Sequence, residues 1–204
     1  MISVEHYPEK KQLVFTRAIE SMVSLQKIVT MNKQRTVYIV SGPLGVGKTT
    51  VTRKLVSQLD EGVLIEGDTF LNATEKVSKL SWEKRISLAW NSILDTTRSY
   101  IKAELDVVID VVIDFVIEEE LRWFVEKTKD LNIKIKYIVL IADKKTLENR
   151  LEKRGEVQYL NRSIVLLNKL NNDPLNSEHV FDTTNINTSV IVTELLSNNS
   201  FIVH

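Results

Sequence analysis

The sequence predicts a three-layer α/β/α domain with a mainly parallel five-stranded sheet and an extra N-terminal helix, on three observations. The run Gly42-Pro43-Leu44-Gly45-Val46-Gly47-Lys48-Thr49 fits G-x-x-x-x-G-K-[S/T] at every fixed position, and it stands between a β-branched run and an amphipathic one. Strand-like and helix-like stretches alternate along the rest of the chain. The strand-like stretches are continuously apolar rather than alternating, as in a parallel sheet covered on both faces.

The elements follow in order. Residues 9–31 carry Phe15, Ala18, Ile19, Met22, Leu25, Ile28 and Val29 between lysines and glutamines, which predicts an amphipathic helix ahead of the core. Such a helix serves either to cover an exposed face of the sheet or as a dimer contact, so a monomer or a homodimer is expected. The domain boundary is placed at 35, with 1–35 as an extension and 36–204 as the core. Residues 36–41, Thr-Val-Tyr-Ile-Val-Ser, suit a buried strand, and Val51, Leu55, Val56 and Leu59 mark a helix over 50–59.

A second strand is expected over 62–66, closed by Gly67-Asp68, and then a polar stretch with helical pieces. Ser81 caps a long helix whose apolar positions run from Trp82 to Ile101, ending near Leu105. Residues 107–113 form the next strand and 118–129 the next helix, with Glu118, Glu119 and Glu120 at its positive end. A strand over 135–142, helices over 146–154 and 159–170, a short strand over 179–181 and a closing helix over 189–196 complete the chain. The tandem Val-Val-Ile-Asp110 and Val-Val-Ile-Asp114 leaves the strand register open, because either aspartate is able to close an apolar strand at its carboxyl end.

Composition narrows the function. Lys plus Arg and Asp plus Glu both total 27, so no net field draws the chain to nucleic acid or to an anionic membrane. The apolar stretch 107–117 is interrupted by two aspartates and is too short to span a bilayer. With no cysteine there is no disulfide framework and no thiol nucleophile, and with no secretory leader pattern a cytoplasmic location is expected. His6, His179 and His204 are scattered, and no His, Asp and Glu grouping has metal-ligand spacing.

The glycine-rich run therefore carries the chemistry. Backbone N–H groups of 42–49, with Thr50 beyond them, close around a phosphate; Lys48 reaches the outer phosphates, and the Thr49 hydroxyl is offered to magnesium. Asp68, past the second strand, belongs at the same sheet edge as this loop and is the candidate base for an acceptor hydroxyl, with helix capping or a turn as its alternative role. Asp114 is the candidate metal-side carboxylate and Asp110 its rival. Arg150 and Arg154 share a helix face before Gly155 and suit either a triphosphate clamp or a solvated basic face. Trp82 and Trp90 are either an aromatic wall for an acceptor or core. The near match Asn168-Lys169-Leu170-Asn171 to a guanine-reading motif ends in the wrong residue and lies in an expected helix, so guanine specificity is not supported.

The phosphate loop, Leu64-Ile65-Glu66-Gly67-Asp68 and Val-Val-Ile-Asp114-Phe115 together resemble the small P-loop kinases, specifically the gluconate kinase-like, shikimate kinase-like and chloramphenicol phosphotransferase-like group of ATP-binding proteins. The resemblance covers about residues 36–197 and implies a P-loop NTPase fold using ATP and Mg2+. It implies that Asp68 contacts the acceptor, that Arg150 and Arg154 clamp phosphates near a lid, and that Thr183, Thr184 and Asn185 after the last strand hold adenine. The activity it implies is transfer of the ATP γ-phosphate to a small-molecule hydroxyl. The alternative is a nucleotide-binding regulatory or toxin-like ATPase without an acceptor. The extra N-terminal helix departs from the group.

Overall fold

The structure is a computed structural model that describes residues 19–22, 34–77, 79–103, 110–115 and 120–203. Residues 19–22 are helical; the rest of the expected N-terminal helix lies outside the described residues, as do 104–109 and 116–119.

The described elements are β1 (Arg35–Ser41), α1 (Lys48–Val56), β2 (Gly62–Glu66), α2 (Gly67–Ala73), α3 (Trp82–Lys102), β3 (Asp110–Asp114), α4 (Glu120–Lys127), β4 (Ile133–Ile141), α5 (Lys144–Lys153), α6 (Leu160–Asn172), β5 (Val180–Asp182) and α7 (Thr188–Ser197). The strands form one sheet in the order β2-β3-β1-β4-β5, and each neighbouring pair is parallel. β1 is central, so the loop leaving it opens at the middle of the sheet's carboxyl edge.

The continuous apolar strands divide residue by residue between two cores, since successive side chains of a strand point to opposite faces. Val37 and Ile39 of β1 join Tyr137 and Val139 of β4 beneath α3 and α4, where Trp90, Ile93 and Phe124 are fully buried. Tyr38 and Val40 join Ile138 and Leu140 on the other face, against Leu55 of α1 and Val192 and Leu195 of α7. Helices on both sides of the sheet therefore make three layers.

Local signals set several helix ends. The Ser81 hydroxyl accepts from the Lys84 N–H at 3.3 Å to cap α3. The α1 helix begins inside the glycine-rich run, at Lys48, and ends at Val56 rather than at residue 59, with Ser57 as its C-cap. The β3 strand begins at Asp110 and ends at Asp114, and Asp114 pairs in register with Val40 and Glu66. Asp110, opposite Gly62, is at the amino end of the strand.

Lys136 is a charged residue inside β4, only 3 % exposed. Its ammonium donates to the carbonyls of Leu195 at 2.8 Å and Leu196 at 2.9 Å, closing the C-terminal end of α7 where the helix dipole favours a cation. Burial, with repulsion from Lys134, holds its pKa below the ordinary lysine value. Hydrogen bonds to a charged group contribute about 1.5–3 kcal/mol, so Lys136→Ala should lower unfolding stability by about that amount or more in a urea titration, and an unchanged midpoint would count against this cap.

Candidate functional site

Gly42 is the first residue after β1, with φ +143°, and a Cβ there would stand 2.5 Å from the Leu140 carbonyl oxygen of the neighbouring strand. Only glycine lets the chain turn off the sheet at this point. The loop then runs to Gly47, the N-cap of α1. The first N–H groups of a helix have no acceptor within it, and the helix dipole makes that end attractive to anions.

The carbonyls of the loop are held by side chains from three helices. Lys48 of α1 donates to Gly42 O at 3.1 Å and Pro43 O at 3.5 Å. Ser163 of α6, fully buried, donates to Leu44 O at 2.7 Å. Arg150 of α5 donates to Val46 O at 2.7 Å. Each bond fixes the orientation of a peptide plane, and with it the opposed N–H. Thr49 and Thr50 follow at the start of α1 with their side chains exposed.

Arg150 does more than hold the loop. Its other donors reach the Thr183 hydroxyl at 3.3 Å and the Thr183 carbonyl at 3.1 Å, joining the phosphate loop to the segment after β5. Arg154 caps the end of α5 and pairs instead with Glu156 at 3.0 Å across the turn at Gly155. The two arginines thus differ in their hydrogen-bond partners, yet both border one cavity. That cavity, of about 310 Å³, opens beside this junction, bounded by Gly45, Gly47, Arg150, Arg154, Thr183 and Thr188 among others.

Of the residues expected after β5, Thr183 lines this cavity. Thr184 is engaged in the turn: its hydroxyl donates to Asp182 at 2.6 Å and accepts from the Asp143 N–H at 3.0 Å. Asn185 is exposed and does not border the cavity. Asp143 caps α5, and hydrogen bonds from Thr146 hold its carboxyl below the usual carboxylate range. Ser163, Ile186 and Thr188 were not legible in the sequence. No motif marks them, and only packing of α6 and α7 brings them to the loop.

Asp68 lies in the first turn of α2, exposed, immediately beyond β2. Its neighbour Gly67 is glycine for want of space: a Cβ there would be 2.4 Å from Cγ of Phe115. Because β2, β3 and β1 are adjacent and parallel, Asp68, the backbone of Asp114 and the phosphate loop all lie at one sheet edge.

Phe115 also packs on Trp90, with ring centroids 5.5 Å apart. Trp90 is core, 1 % exposed, yet it borders a second cavity of about 430 Å³ together with Trp82 and Trp123. Trp82 is half exposed and is stacked by the Arg162 guanidinium at 4.9 Å. Trp90 is therefore a core residue, and both tryptophans border one cavity.

The Ser163 bond is the simplest to test. Ser163→Ala leaves the Leu44 carbonyl without that donor, at a cost of about 1–3 kcal/mol in stability by chemical denaturation. A variant as stable as the parent would show that this hydroxyl does not hold the loop.

Residues 37–167 match the AAA domain family. No curated protein matches the sequence. Among solved structures, the tunicamycin resistance protein of Deinococcus radiodurans is similar at 20 % identity and TM-score 0.59, over 81 % of this chain and 95 % of that one. A gluconokinase from Sinorhizobium meliloti 1021 is similar at 18 % identity and TM-score 0.56, over 81 % and 92 %. A sugar kinase from Janibacter sp. HTCC2649 matches at 17 % identity and TM-score 0.56, over 83 % and 96 %. At such identities the likeness is one of fold. The matched family spans the phosphate loop, its flanking strand and helix, Asp68, and both arginines, and the chain belongs to the AAA domain family, with a kinase-like P-loop fold.

Proposed function

We propose that this protein is an ATP-dependent phosphotransferase that moves the γ-phosphate to a hydroxyl of a small molecule. The observation that carries the reading is the phosphate loop itself, glycine-turned off the central strand and held by Lys48, Ser163 and Arg150, with Asp68 at the same sheet edge. The kinase-like folds of the similar structures support it.

The donor set fits a nucleotide with magnesium. Loop N–H groups and the Lys48 ammonium would hold the outer phosphates, the Thr49 hydroxyl and Asp114 would hold the metal, and the cavity beside Thr183 would receive the base. Bound ATP supplies the phosphoryl group. Asp68 orients the acceptor hydroxyl and takes its proton as the oxygen bonds to the γ-phosphorus and the bond from that phosphorus to the bridging oxygen breaks, releasing ADP. Arg154, freed from its exposed pair with Glu156, neutralises charge on the phosphates; Arg150 keeps the loop and the base-side segment in register.

Lys48→Ala should weaken ATP binding about 10-fold to 100-fold, the equivalent of about 1.5–3 kcal/mol for a charge-assisted bond, while circular dichroism stays unchanged. Undiminished calorimetric affinity in the folded variant would reject the phosphate site.

The two carboxylates separate by role. Asp68→Asn should keep ATP affinity and lose about 10²-fold to 10⁴-fold in transfer, the usual range for a lost general base. Asp114→Asn should weaken magnesium-dependent binding, and Asp110→Asn should not. Turnover is followed as ADP release with and without a panel of small alcohols. Slow release that no alcohol accelerates would favour an ATPase without an acceptor.

A further inference from the structure

The ring of Trp82, the first residue of α3, carries two guanidiniums. That of Arg162, on α6, is 4.9 Å from the ring centroid, and that of Arg85, one turn along α3, is 5.7 Å from it. Both are inside the roughly 6 Å over which an aromatic face attracts a cation.

Each arginine leads on to a different part of the site. Arg85 also donates through Nε to the Thr74 hydroxyl at 3.0 Å and through a terminal nitrogen to the Leu71 carbonyl at 3.2 Å. Those acceptors lie at the C-terminal end of α2, the helix whose first turn holds Asp68. Arg162 is followed by Ser163, whose hydroxyl donates to the Leu44 carbonyl of the phosphate loop at 2.7 Å. A connected set of contacts thus runs from α2 through Arg85, Trp82 and α6 to the phosphate loop.

The two links of α6 differ in depth. Ser163 is fully buried, and because a hydrogen bond weakens steeply as it bends, its hydroxyl orients the Leu44 peptide only while α6 keeps its seat. Arg162 is exposed, and its stack on Trp82 is a contact of α6 with α3 one residue away from that serine.

We propose that the Trp82–Arg162 stack is a positioning contact, which seats α6 so that Ser163 holds the Leu44 peptide and which thereby couples nucleotide at the phosphate loop to α2. The inference rests on the nucleotide-binding reading above and not on phosphoryl transfer. Such a coupling is reciprocal: the stack raises affinity for ATP, and bound ATP tightens the stack and the end of α2 joined to it. A stack that only stabilised the fold would leave ATP affinity alone.

ATP affinity of the full chain is measured by calorimetry with magnesium. Arg162→Ala and Trp82→Leu should each weaken ATP about twofold to fivefold, the size of an exposed cation–π contact. Arg162→Lys and Trp82→Phe keep a cation on a ring and should each bind ATP more tightly than the matching truncation. In the Ser163→Ala background Arg162→Ala should have no further effect, because the serine is the link through which the stack acts. With ATP at saturation, amide exchange over residues 70–77 should slow in the parent and not in Arg162→Ala. Undiminished ATP affinity in Arg162→Ala overturns the proposal, and since that position is an exposed one on a helix, this variant decides the matter even where Trp82→Leu does not fold. Effects of Arg162→Ala and Ser163→Ala that add in full overturn it as well, as does exchange over 70–77 that slows equally in parent and variant. A parent chain that binds no ATP rejects the nucleotide reading and this inference with it; ATP binding that is indifferent to the stack rejects this inference alone.

Discussion

The site depends on the direction in which the peptide planes of the phosphate loop face. Side-chain donors to the opposed carbonyls fix which way the N–H groups face, and in this chain four loop carbonyls have such donors. Lys48, Ser163 and Arg150 take the carbonyls of Gly42, Pro43, Leu44 and Val46. These donors come from α1, α6 and α5, so the loop is not an autonomous motif but the meeting point of three helices. An N–H array oriented before the ligand arrives avoids reorganisation when charge develops on it, which is the condition for electrostatic stabilisation to be effective.

The two cores provide the rigidity this demands. β1 is the strand on which the loop is mounted, and Val37, Tyr38, Ile39 and Val40 are buried on alternate faces. Buried polar groups secure the neighbouring strands. Tyr137 of β4 donates to Asn176 at 3.0 Å, and the Asn176 amide donates to the Leu170 carbonyl at the end of α6. Burial raises the Tyr137 pKa well above that of an ordinary tyrosine, so the phenol remains a neutral donor. Thus β4 is bonded to α6, which carries Ser163, and to α7 through Lys136. A displacement of α6 would reach the phosphate loop through Ser163.

The arginines show that equal helical spacing does not give equal hydrogen-bond partners. Four residues apart on α5, Arg150 and Arg154 share a face in the sequence, yet one is drawn onto carbonyls of two loops while the other stands at the helix end beside Gly155. A guanidinium has donors for several acceptors at once, and Arg150 spends them on Val46 and Thr183. An exposed pair such as Arg154 with Glu156 contributes little to stability.

The phosphate loop, the strand and helix around it, and the Gly67-Asp68 corner can be read from residue order alone, because each rests on local chemistry: glycine geometry, a lysine and hydroxyl at fixed spacing, a polar residue after an apolar run. The Ser81 cap and the two-sided burial of the strands can be read in the same way. The tandem Val-Val-Ile-Asp could not be placed, since both repeats satisfy the same hydrophobic pattern; pairing with β1 and β2 decides that Asp114 closes β3. Ser163, Thr183 and the cavity of three tryptophans belong to tertiary structure alone. The partners of Ser163 and Thr183 lie 119 and 33 residues away, the cavity is lined from three helices, and no periodicity encodes which side chains meet when α3, α4 and α6 pack on one face of a sheet.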